Sequence, residues 1–156
     1  MMMNSKDRGL VESIIKSNFI MSLGSIQKGE PRICIVFYVT DDTKTLYFKS
    51  RTESDHSKSF ADNPIASGAI YHPDSNYSVK SGVQMIGKVE RVRSVKEMTK
   101  AVKMYGKSFK GSEKKFEAIP TLVADFVKST MYKFTIDKVK FVDSTEGIHT
   151  VKYERY

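Results

Sequence analysis

Short segments with the composition of β-strands follow one another along most of this 156-residue chain. They are rich in valine, isoleucine, threonine and aromatic residues, and polar turns such as QKGEP and DDTK separate the early ones. Residues 20–26 are predicted to be extended, and strands are predicted at residues 32–39, 45–49, 66–71, 83–92, 131–142 and 148–153. About six strands joined mostly by hairpins, with few helices, indicate a mainly β fold, either an antiparallel barrel or a sandwich.

Three of these strands carry finer predictions. Residues 32–39 are apolar at both alternating sets of positions, so we expect both faces of that strand to be covered. Gly87 interrupts a long strand and indicates a bulge or a close approach of another backbone. The apolar alternation changes phase between Ile136 and Val139, which predicts a bulge or a strong bend near Asp137–Lys138.

Other segments show the periodicity of helices. Helices are predicted at residues 7–19, 58–62 and 95–109, with a further helical turn or two in residues 121–129. The apolar face of the third helix is predicted to consist of Val95, Met98, Val102, Tyr105 and Phe109. Neither a repeat nor a linker interrupts the pattern. Residues 1–156 are therefore predicted to form one domain, with an N-terminal helix and a helix after the long strand.

The chain is basic, and the excess charge is concentrated. It has 26 Lys and Arg against 18 Asp and Glu, a formal net charge of +8, and residues 88–115 contribute +7 of it, from ten basic and three acidic residues. Such a surface attracts phosphates, nucleic acid or anionic membranes, and charge alone does not choose among them. Nucleic-acid binding usually places aromatic residues on the exposed face, whereas Tyr105 and Phe109 fall on the apolar one, so we do not expect a nucleic-acid partner.

The sequence lacks the residues that several kinds of chemistry require. A single cysteine, Cys34, excludes a disulfide framework and a cysteine-based zinc site, and its place within a strand indicates a packed thiol. His56, His72 and His149 lack the spacing of metal ligands, so no metal is expected. Neither a G-x-S-x-G elbow nor a phosphate-binding glycine loop is present. Without a secretory signal or a membrane-spanning segment in the sequence, we expect a cytoplasmic protein and no membrane partner.

Residues 49–58, KSRTESDHSK, hold the richest set of anion-binding groups. This stretch leaves a predicted strand and enters a predicted helix, so its last residues can offer free N–H groups to a phosphate. Its serine and threonine hydroxyls can donate hydrogen bonds, and Arg51, His56 and Lys58 can bring charge. The alternative is a solvated loop in which a serine or threonine only caps the helix.

Four motifs in order resemble the pyridoxamine 5′-phosphate oxidase-like family of FMN-binding split β-barrel proteins. After a hairpin around a G-E-P turn, PRICIVFYVTDDTKTLYFKS is similar to the family's second and third strands. SDHSKSFADNP, residues 54–64, is similar to its Ser/Thr-x-His/Lys loop with a later Asn-Pro, and GVQMIGKVERV, residues 82–92, to its G-V-Q strand. The ending KFTIDKVKFVDSTEGI is similar to that of a small bacterial branch. The resemblance runs from about Phe19 to the C-terminus.

The resemblance implies a six-stranded split barrel that forms a homodimer and binds FMN at the subunit interface. The flavin would lie along the second and third strands, with its phosphate on the loop after the third and with Gln84 of the partner chain reaching the ring. This favours the anion-site interpretation of residues 49–58. The residues implied to bind the cofactor are Ile33, Ile35, Val36, Tyr38, Phe48, Lys49, Ser50, Ser54, His56, Ser57, Lys58 and Gln84.

The dimer has a second, independent argument. A small split barrel needs its open face covered, and tyrosines suit an interface because one end is apolar and the other polar. Tyr38, Tyr71 and Tyr77 are predicted to lie there.

The family resemblance implies a flavin-dependent oxidoreductase acting on a small molecule, with a nicotinamide cofactor as a reductant; the sequence identifies neither the substrate nor the catalytic residues. A non-enzymatic flavin or haem carrier, or a stress protein, is the alternative on the same fold, and a basic nucleic-acid-associated protein is the third hypothesis. Asp55 stands where many relatives have Arg or Lys and opposes a phosphate. The chain has no tryptophan and lacks the W-x-x-x-R-L-x-P ending, so oxidation of pyridoxamine phosphate itself is not expected.

Overall fold

Six antiparallel strands close into a barrel in the computed structural model, which describes residues 3–71, 81–108, 129–143, 149–150 and 153–156. The strands are β1 (Ile20–Gln27), β2 (Glu30–Val39), β3 (Thr45–Arg51), β4 (Ile65–Tyr71), β5 (Ser81–Arg91) and β6 (Ser129–Asp143), followed by the short β7 (His149–Thr150) and β8 (Glu154–Arg155). The helices are α1 (Ser5–Lys16), α2 (Asp55–Asp62) and α3 (Val95–Ser108). The mainly β fold, the six-stranded barrel and the two flanking helices are confirmed.

The barrel closes because the two ends of its strand order pair with each other. The order is β3-β2-β1-β4-β5-β6, and the first half of β6 pairs back onto β3. The second half of β6 continues past β3 and pairs instead with β7 and β8. Of the strand predicted at residues 148–153, His149–Thr150 form β7, and residues 148 and 151–152 lie outside the described residues. β8 begins one residue past the predicted end.

A β-bulge in β6 accounts for its change of phase. The register with β5 shifts after Ile86, and Asp137 is the extra residue. A Cβ atom on Gly87, opposite the bulge, would collide with the carbonyl oxygen of Thr135, so only glycine fits there. The predicted bulge near Asp137–Lys138 and the predicted close approach at Gly87 are both confirmed.

The inner face of the barrel holds the apolar core, and α1 packs onto it. Val11 and Ile15 of α1 are buried in the same cluster as barrel residues such as Leu23. The Tyr38 hydroxyl donates a hydrogen bond of 2.7 Å to the carbonyl oxygen of Ile15, which satisfies one of the acceptors that a helix end leaves free. Tyr38 is only 2% exposed, so its predicted place at a subunit interface is wrong.

α3 covers part of the outer face of the barrel. The cluster beneath it consists of Val39, Tyr47, Val92, Ala101 and Met131, with Met98, Met104 and Tyr105 packed against it. Val95 and Val102 are exposed, so the predicted apolar face of this helix is wrong at those two positions. The helix instead packs through the buried Ala101, with the partly buried Met98, Met104 and Tyr105 beside it. Phe109 and residues 121–128 lie outside the described residues.

Most of the outer face of β2 is exposed in the part of the chain that the structure describes, and only Val39 at its end lies beneath α3. Ile33 is 77% exposed, Ile35 74% and Phe37 55%. Phe37 stacks on Phe19, with 6.0 Å between the ring centroids, so the two aromatic rings extend the same apolar surface. The prediction that both faces of this strand are covered is therefore wrong at these three outward positions of the described chain.

Candidate functional site

The barrel wall opens between β2 and β3. The two strands pair only through Tyr38↔Phe48 and Val39↔Tyr47, and beyond these pairs they diverge. Residues 31–37 pair with β1 on one side, and within the described residues no strand pairs with their other edge. Such an edge presents backbone N–H and C=O groups that another molecule can bind.

A tyrosine of α3 lies at the fork where the two strands separate. The Tyr105 hydroxyl donates a hydrogen bond of 2.6 Å to the carbonyl oxygen of Phe37 and lies 3.5 Å from that of Tyr47. Burial raises the pKa of Tyr105 well above its usual value, so the hydroxyl keeps its proton at any physiological pH. The periodicity of the sequence predicts for Tyr105 only a place on an apolar helix face, and no pattern along the helix indicates that its hydroxyl reaches a strand.

Three serine hydroxyls and one imidazole converge on the β3 side of the opening. Ser50 Oγ lies 2.5 Å from His56 Nε2 and 3.1 Å from Ser54 Oγ, which is itself 3.1 Å from the same nitrogen. Ser57 Oγ lies 2.8 Å from Ser54 Oγ and 3.2 Å from Ser50 Oγ. We call Ser50, Ser54, His56 and Ser57 the serine–histidine cluster. All four are among the residues that the sequence predicts to bind a cofactor.

The cluster forms where β3 ends and α2 begins. Ser54 is the N-cap of α2, and its side chain accepts a hydrogen bond from the backbone N–H of Ser57. One turn later Phe60 is buried in the barrel core, with its ring 6.4 Å from that of Phe48 and 6.3 Å from that of His56. The apolar anchor at Phe60 therefore sets the position of the polar groups at the start of the helix.

The electrostatics of the cluster favour a neutral imidazole until an anion arrives. Burial lowers the pKa of His56, and the neighbouring Asp55 carboxylate raises it by a smaller amount. Two amines lie nearby in the sequence: burial lowers the pKa of Lys49 to about 8, and Lys58 is exposed. A phosphate beside the imidazole would stabilise its protonated form.

The donor set of the cluster fits a phosphate group. Each serine hydroxyl can donate to a phosphate oxygen, and a protonated His56 can donate through Nε2. The free N–H groups of the first turn of α2 add donors and the positive end of the helix dipole. Asp55 lies in the same turn and is exposed, so its carboxylate opposes an anion there without closing the site.

The other predicted cofactor residues divide between the two faces of the wall. Ile33 and Ile35 point outward, whereas Val36, Tyr38 and Phe48 point into the core. The side chains of the inward residues therefore cannot contact a molecule bound on the outer face.

Gln84 lies on a different strand and, among the described contacts, makes no hydrogen bond to the cluster. It is exposed on the outer face of β5, between Ala69 of β4 and Lys140 of β6. Its Oε1 accepts a hydrogen bond of 3.4 Å from the Tyr153 hydroxyl. This contact is not predictable from the sequence, since the two residues are 69 positions apart.

Other sites are weaker in the part of the chain that the structure describes. Burial raises the pKa of Cys34 to about 11, which disfavours a thiolate nucleophile. No group of three or more histidine, cysteine, aspartate or glutamate residues within the described ranges is placed to hold a metal ion. A cleft of about 500 Å³ runs along α3 from Lys96 to Lys107 and shares no residue with the cluster. None of the described helices has the length and apolar character needed to cross a membrane.

A comparison with models of protein families finds a match that spans most of the chain. Residues 9–143 match the family model described as pyridoxamine 5′-phosphate oxidase, and this span includes strands β1 to β6 and the serine–histidine cluster. A search of the curated proteins finds no match.

Solved structures share the fold at low sequence identity. A heme binding protein from Mycobacterium smegmatis is similar with a TM-score of 0.70 and 17% identity over 92% of this chain and 57% of that one. A FAD-binding protein from Mesorhizobium loti has a TM-score of 0.67 and 14% identity, over 88% of this chain and 92% of that one. General Stress Protein 26 from Bacillus anthracis has a TM-score of 0.65 and 13% identity, over 96% and 98%. The chain thus spans little more than half the length of the mycobacterial protein.

Proposed function

The chain belongs to the pyridoxamine 5′-phosphate oxidase family, and we propose that it is a flavoprotein that holds FMN at the fork between β2 and β3. The observation that carries this proposal is the convergence of the serine–histidine cluster at the start of α2. Three hydroxyls and an imidazole within hydrogen-bond distance of one another suit a phosphate, and FMN differs from riboflavin by that group.

The flavin ring would lie along the unpaired edge of β2. The N–H of Tyr38 bonds to the carbonyl oxygen of Phe19, on the β1 side. Because alternate residues of a strand direct their backbone groups to opposite edges, Ile33, Ile35 and Phe37 direct theirs to the open side. Tyr105 occupies the carbonyl oxygen of Phe37. The backbone groups of the two isoleucines are therefore the donors and acceptors that we assign to the polar edge of the ring.

A homodimer would complete this site. The exposed apolar face of β2 is of the kind that a second copy covers, because burying such side chains is favourable. The partner's Gln84, which lies on the same outer face of the barrel, is then the residue that we assign to the flavin ring, alongside Phe48 and Lys49 of the chain that holds the phosphate.

The proposed activity is the oxidation or reduction of a small molecule, with a nicotinamide cofactor as the reductant. FMN, when bound, supplies the hydride chemistry. The chain's own residues orient it: the serine–histidine cluster and Lys58 hold its phosphate, the β2 backbone holds the polar edge of its ring, and the apolar outer face excludes water. We assign the protein to the cytoplasm, where a lone reduced cysteine is ordinary.

Titration of the apo protein with FMN and with riboflavin tests the phosphate site. We expect FMN to bind more tightly than riboflavin, and Ser57→Ala or His56→Gln to weaken FMN by about tenfold, since hydrogen bonds to charged groups contribute roughly 1.5–3 kcal/mol. Riboflavin binding should not change. Asp55→Asn should tighten FMN binding, because it removes the opposing charge.

Ser59→Ala is the matched control. Ser59 is a buried serine two positions further along α2, and its hydroxyl bonds to the carbonyl oxygen of Asp55 rather than to the cluster. If Ser57→Ala and Ser59→Ala weaken FMN binding equally, or if riboflavin binds as tightly as FMN, the assignment of the phosphate site is wrong.

A non-enzymatic carrier of flavin or haem is the second hypothesis. The observation that favours it is the similar fold of the heme binding protein from M. smegmatis. Visible spectra after addition of haem and of FMN separate the two ligands. A flavin-loaded protein that does not oxidise reduced nicotinamide cofactors would be a carrier rather than an oxidoreductase.

A further inference from the structure

Three cations lie side by side on the outer face of the barrel, away from the serine–histidine cluster. Val139 and Phe141 of β6 are buried in the core, so the alternating Lys138 and Lys140 point outward. β8 pairs with this part of β6 in the register Lys138↔Arg155, which places the arginine next to the first lysine. Lys138 and Arg155 are exposed and Lys140 is partly exposed.

None of these three cations has an ion-pair partner among the described residues. The described ion pairs are Arg32–Glu30, Lys100–Asp41 and Lys133–Glu97. Carboxylates pair with two lysines and an arginine elsewhere on the described surface, whereas Lys138, Lys140 and Arg155 repel one another and, among the described residues, none of them forms such a pair with the neighbouring Asp137 or Glu154. A bound anion would relieve this repulsion.

Two neutral groups extend the same surface. Lys140 pairs with Gln84 of β5, and the Tyr153 hydroxyl reaches the Gln84 Oε1 at 3.4 Å. Tyr153 is 44% exposed, so its hydroxyl and ring remain accessible beside the charges. The surface therefore combines three cations, a phenol and a carboxamide on β5, β6 and β8 and on Tyr153 just before β8.

We propose that Lys138, Lys140, Arg155 and Tyr153 form an anion site that binds a phosphate group of the small-molecule substrate or reductant. The assignment to a substrate rests on the proposed function, because Gln84 is the residue that links this surface to the flavin ring. Three neighbouring cations on one face match a multiply charged phosphate better than a single carboxylate. The uncharged part of the ligand would extend over Gln84 towards Ala69, its register partner on β4.

Calorimetric titration of the FMN-loaded protein with inorganic phosphate and with pyrophosphate tests the site, because FMN then occupies the serine–histidine cluster. In the double variant Lys138→Gln/Lys140→Gln we expect pyrophosphate to bind at least tenfold more weakly. Arg155→Gln should weaken it severalfold, and binding to the unmodified protein should fall steeply with added salt. A preference for pyrophosphate indicates a dinucleotide, and equal binding of the two probes indicates a phosphate monoester; either preference supports the site.

Lys96→Gln/Lys103→Gln is the matched control. It removes the same charge from exposed lysines of α3, so it reproduces any effect of net charge alone, and we expect less than a twofold change. Equal losses in the two double variants, or no pyrophosphate binding by the unmodified protein, would overturn the anion site. The proposal would also be overturned if an oligonucleotide bound to the unmodified protein and not to Lys138→Gln/Lys140→Gln, while the affinity for pyrophosphate was the same in both proteins.

The flavin measurements keep this proposal distinct from the proposed function. Lys138→Gln/Lys140→Gln should leave the FMN dissociation constant unchanged, and His56→Gln should weaken FMN while leaving pyrophosphate binding intact. If the protein takes up no FMN, the proposed function fails, and the same pyrophosphate titrations on the His56→Gln variant still decide whether the anion site exists.

Discussion

The inner and outer faces of the barrel wall both carry apolar residues, but those on the inner face are buried whereas several on the outer face are exposed to solvent. On β2, Val36 and Tyr38 face inward and are buried, whereas Ile33 and Ile35 alternate with them and are exposed. On β3, the outward-facing Tyr47 is buried, because α3 covers it. An apolar residue on the outer face is thus buried only where a second layer packs on it, and the alternation along a strand contains no information about that layer.

The sharpest contrast between the two faces is in stability. Phe134 is fully buried on the inner face, and Phe37 is exposed on the outer one. We expect Phe134→Ala to lower the free energy of unfolding by about 3–5 kcal/mol, since it opens a large cavity in the core. Phe37→Ala should cost less than about 1 kcal/mol in dilute protein. Urea denaturation measures both, and losses of equal size would show that the outer face is also packed in the single chain.

The next effect tests whether a second copy covers the outer face. Ile35→Lys places a charge at the centre of the apolar surface, and we expect it to weaken dimerisation by about thirtyfold or more, the effect of losing a central interface residue of roughly 2 kcal/mol. Analytical ultracentrifugation over a concentration series measures the dimer constant. Ile26→Lys is the control, because it adds the same charge at an exposed isoleucine at the end of β1. A protein that is monomeric before substitution would contradict the dimer.

A smaller effect is expected where α3 meets the fork between β2 and β3. Tyr105→Phe removes the hydroxyl that donates to the carbonyl oxygen of Phe37 and keeps the ring. We expect a loss of about 1 kcal/mol in unfolding free energy, which is the usual net contribution of such a bond. Tyr71→Phe, at an exposed ring on β4, should change nothing measurable. No difference between the two variants would mean that the fork does not depend on this hydroxyl.

The smallest effect is a pH dependence. Burial lowers the pKa of Lys49 to about 8 from the ordinary value of 10.5. Between these values the unfolded chain holds the proton more than the folded chain does, so folding stability should rise with pH across that window. Lys49→Met should lack this rise. Denaturation of both proteins at pH 7.5 and 9.5 measures the difference, and a parallel change in the two would show that another group is responsible.

Most of the barrel follows from local patterns. The six strand segments from residues 20–26 to residues 131–142, the two hairpin turns, the change of phase near Asp137 and the close approach at Gly87 all depend on residues close in sequence, and each prediction is confirmed. The predictions that are wrong concern which side chains are covered by another element and which way they point. Tyr38 faces the core rather than an interface, and Val102 of α3 is exposed, because the rotation of a strand or helix depends on what packs against it.

The serine–histidine cluster can be predicted from the sequence because its residues are close together in the chain. Ser54 and Ser57 are three residues apart at a helix start, where an N-cap serine accepts from the N–H of the third residue on. Their convergence with Ser50 and His56 needs only the short loop between β3 and α2. By contrast, the contacts of Tyr105 with Phe37 and of Tyr153 with Gln84 join residues 68 and 69 positions apart, and no pattern along the chain encodes them.

The sequence by itself determined which segments form strands, where the bulge lies, where the helix after β3 begins and which groups there can bind a phosphate. Short-range sterics and hydrogen bonding decide all of these. Only the tertiary structure decided that β2 and β3 separate after two pairs, that most of the outer face of β2 is exposed, and that Lys138 and Arg155 are register partners beside Lys140. The physical reason is that each of these properties belongs to a pair of distant segments. Their free energy depends on barrel closure, which no single segment contains.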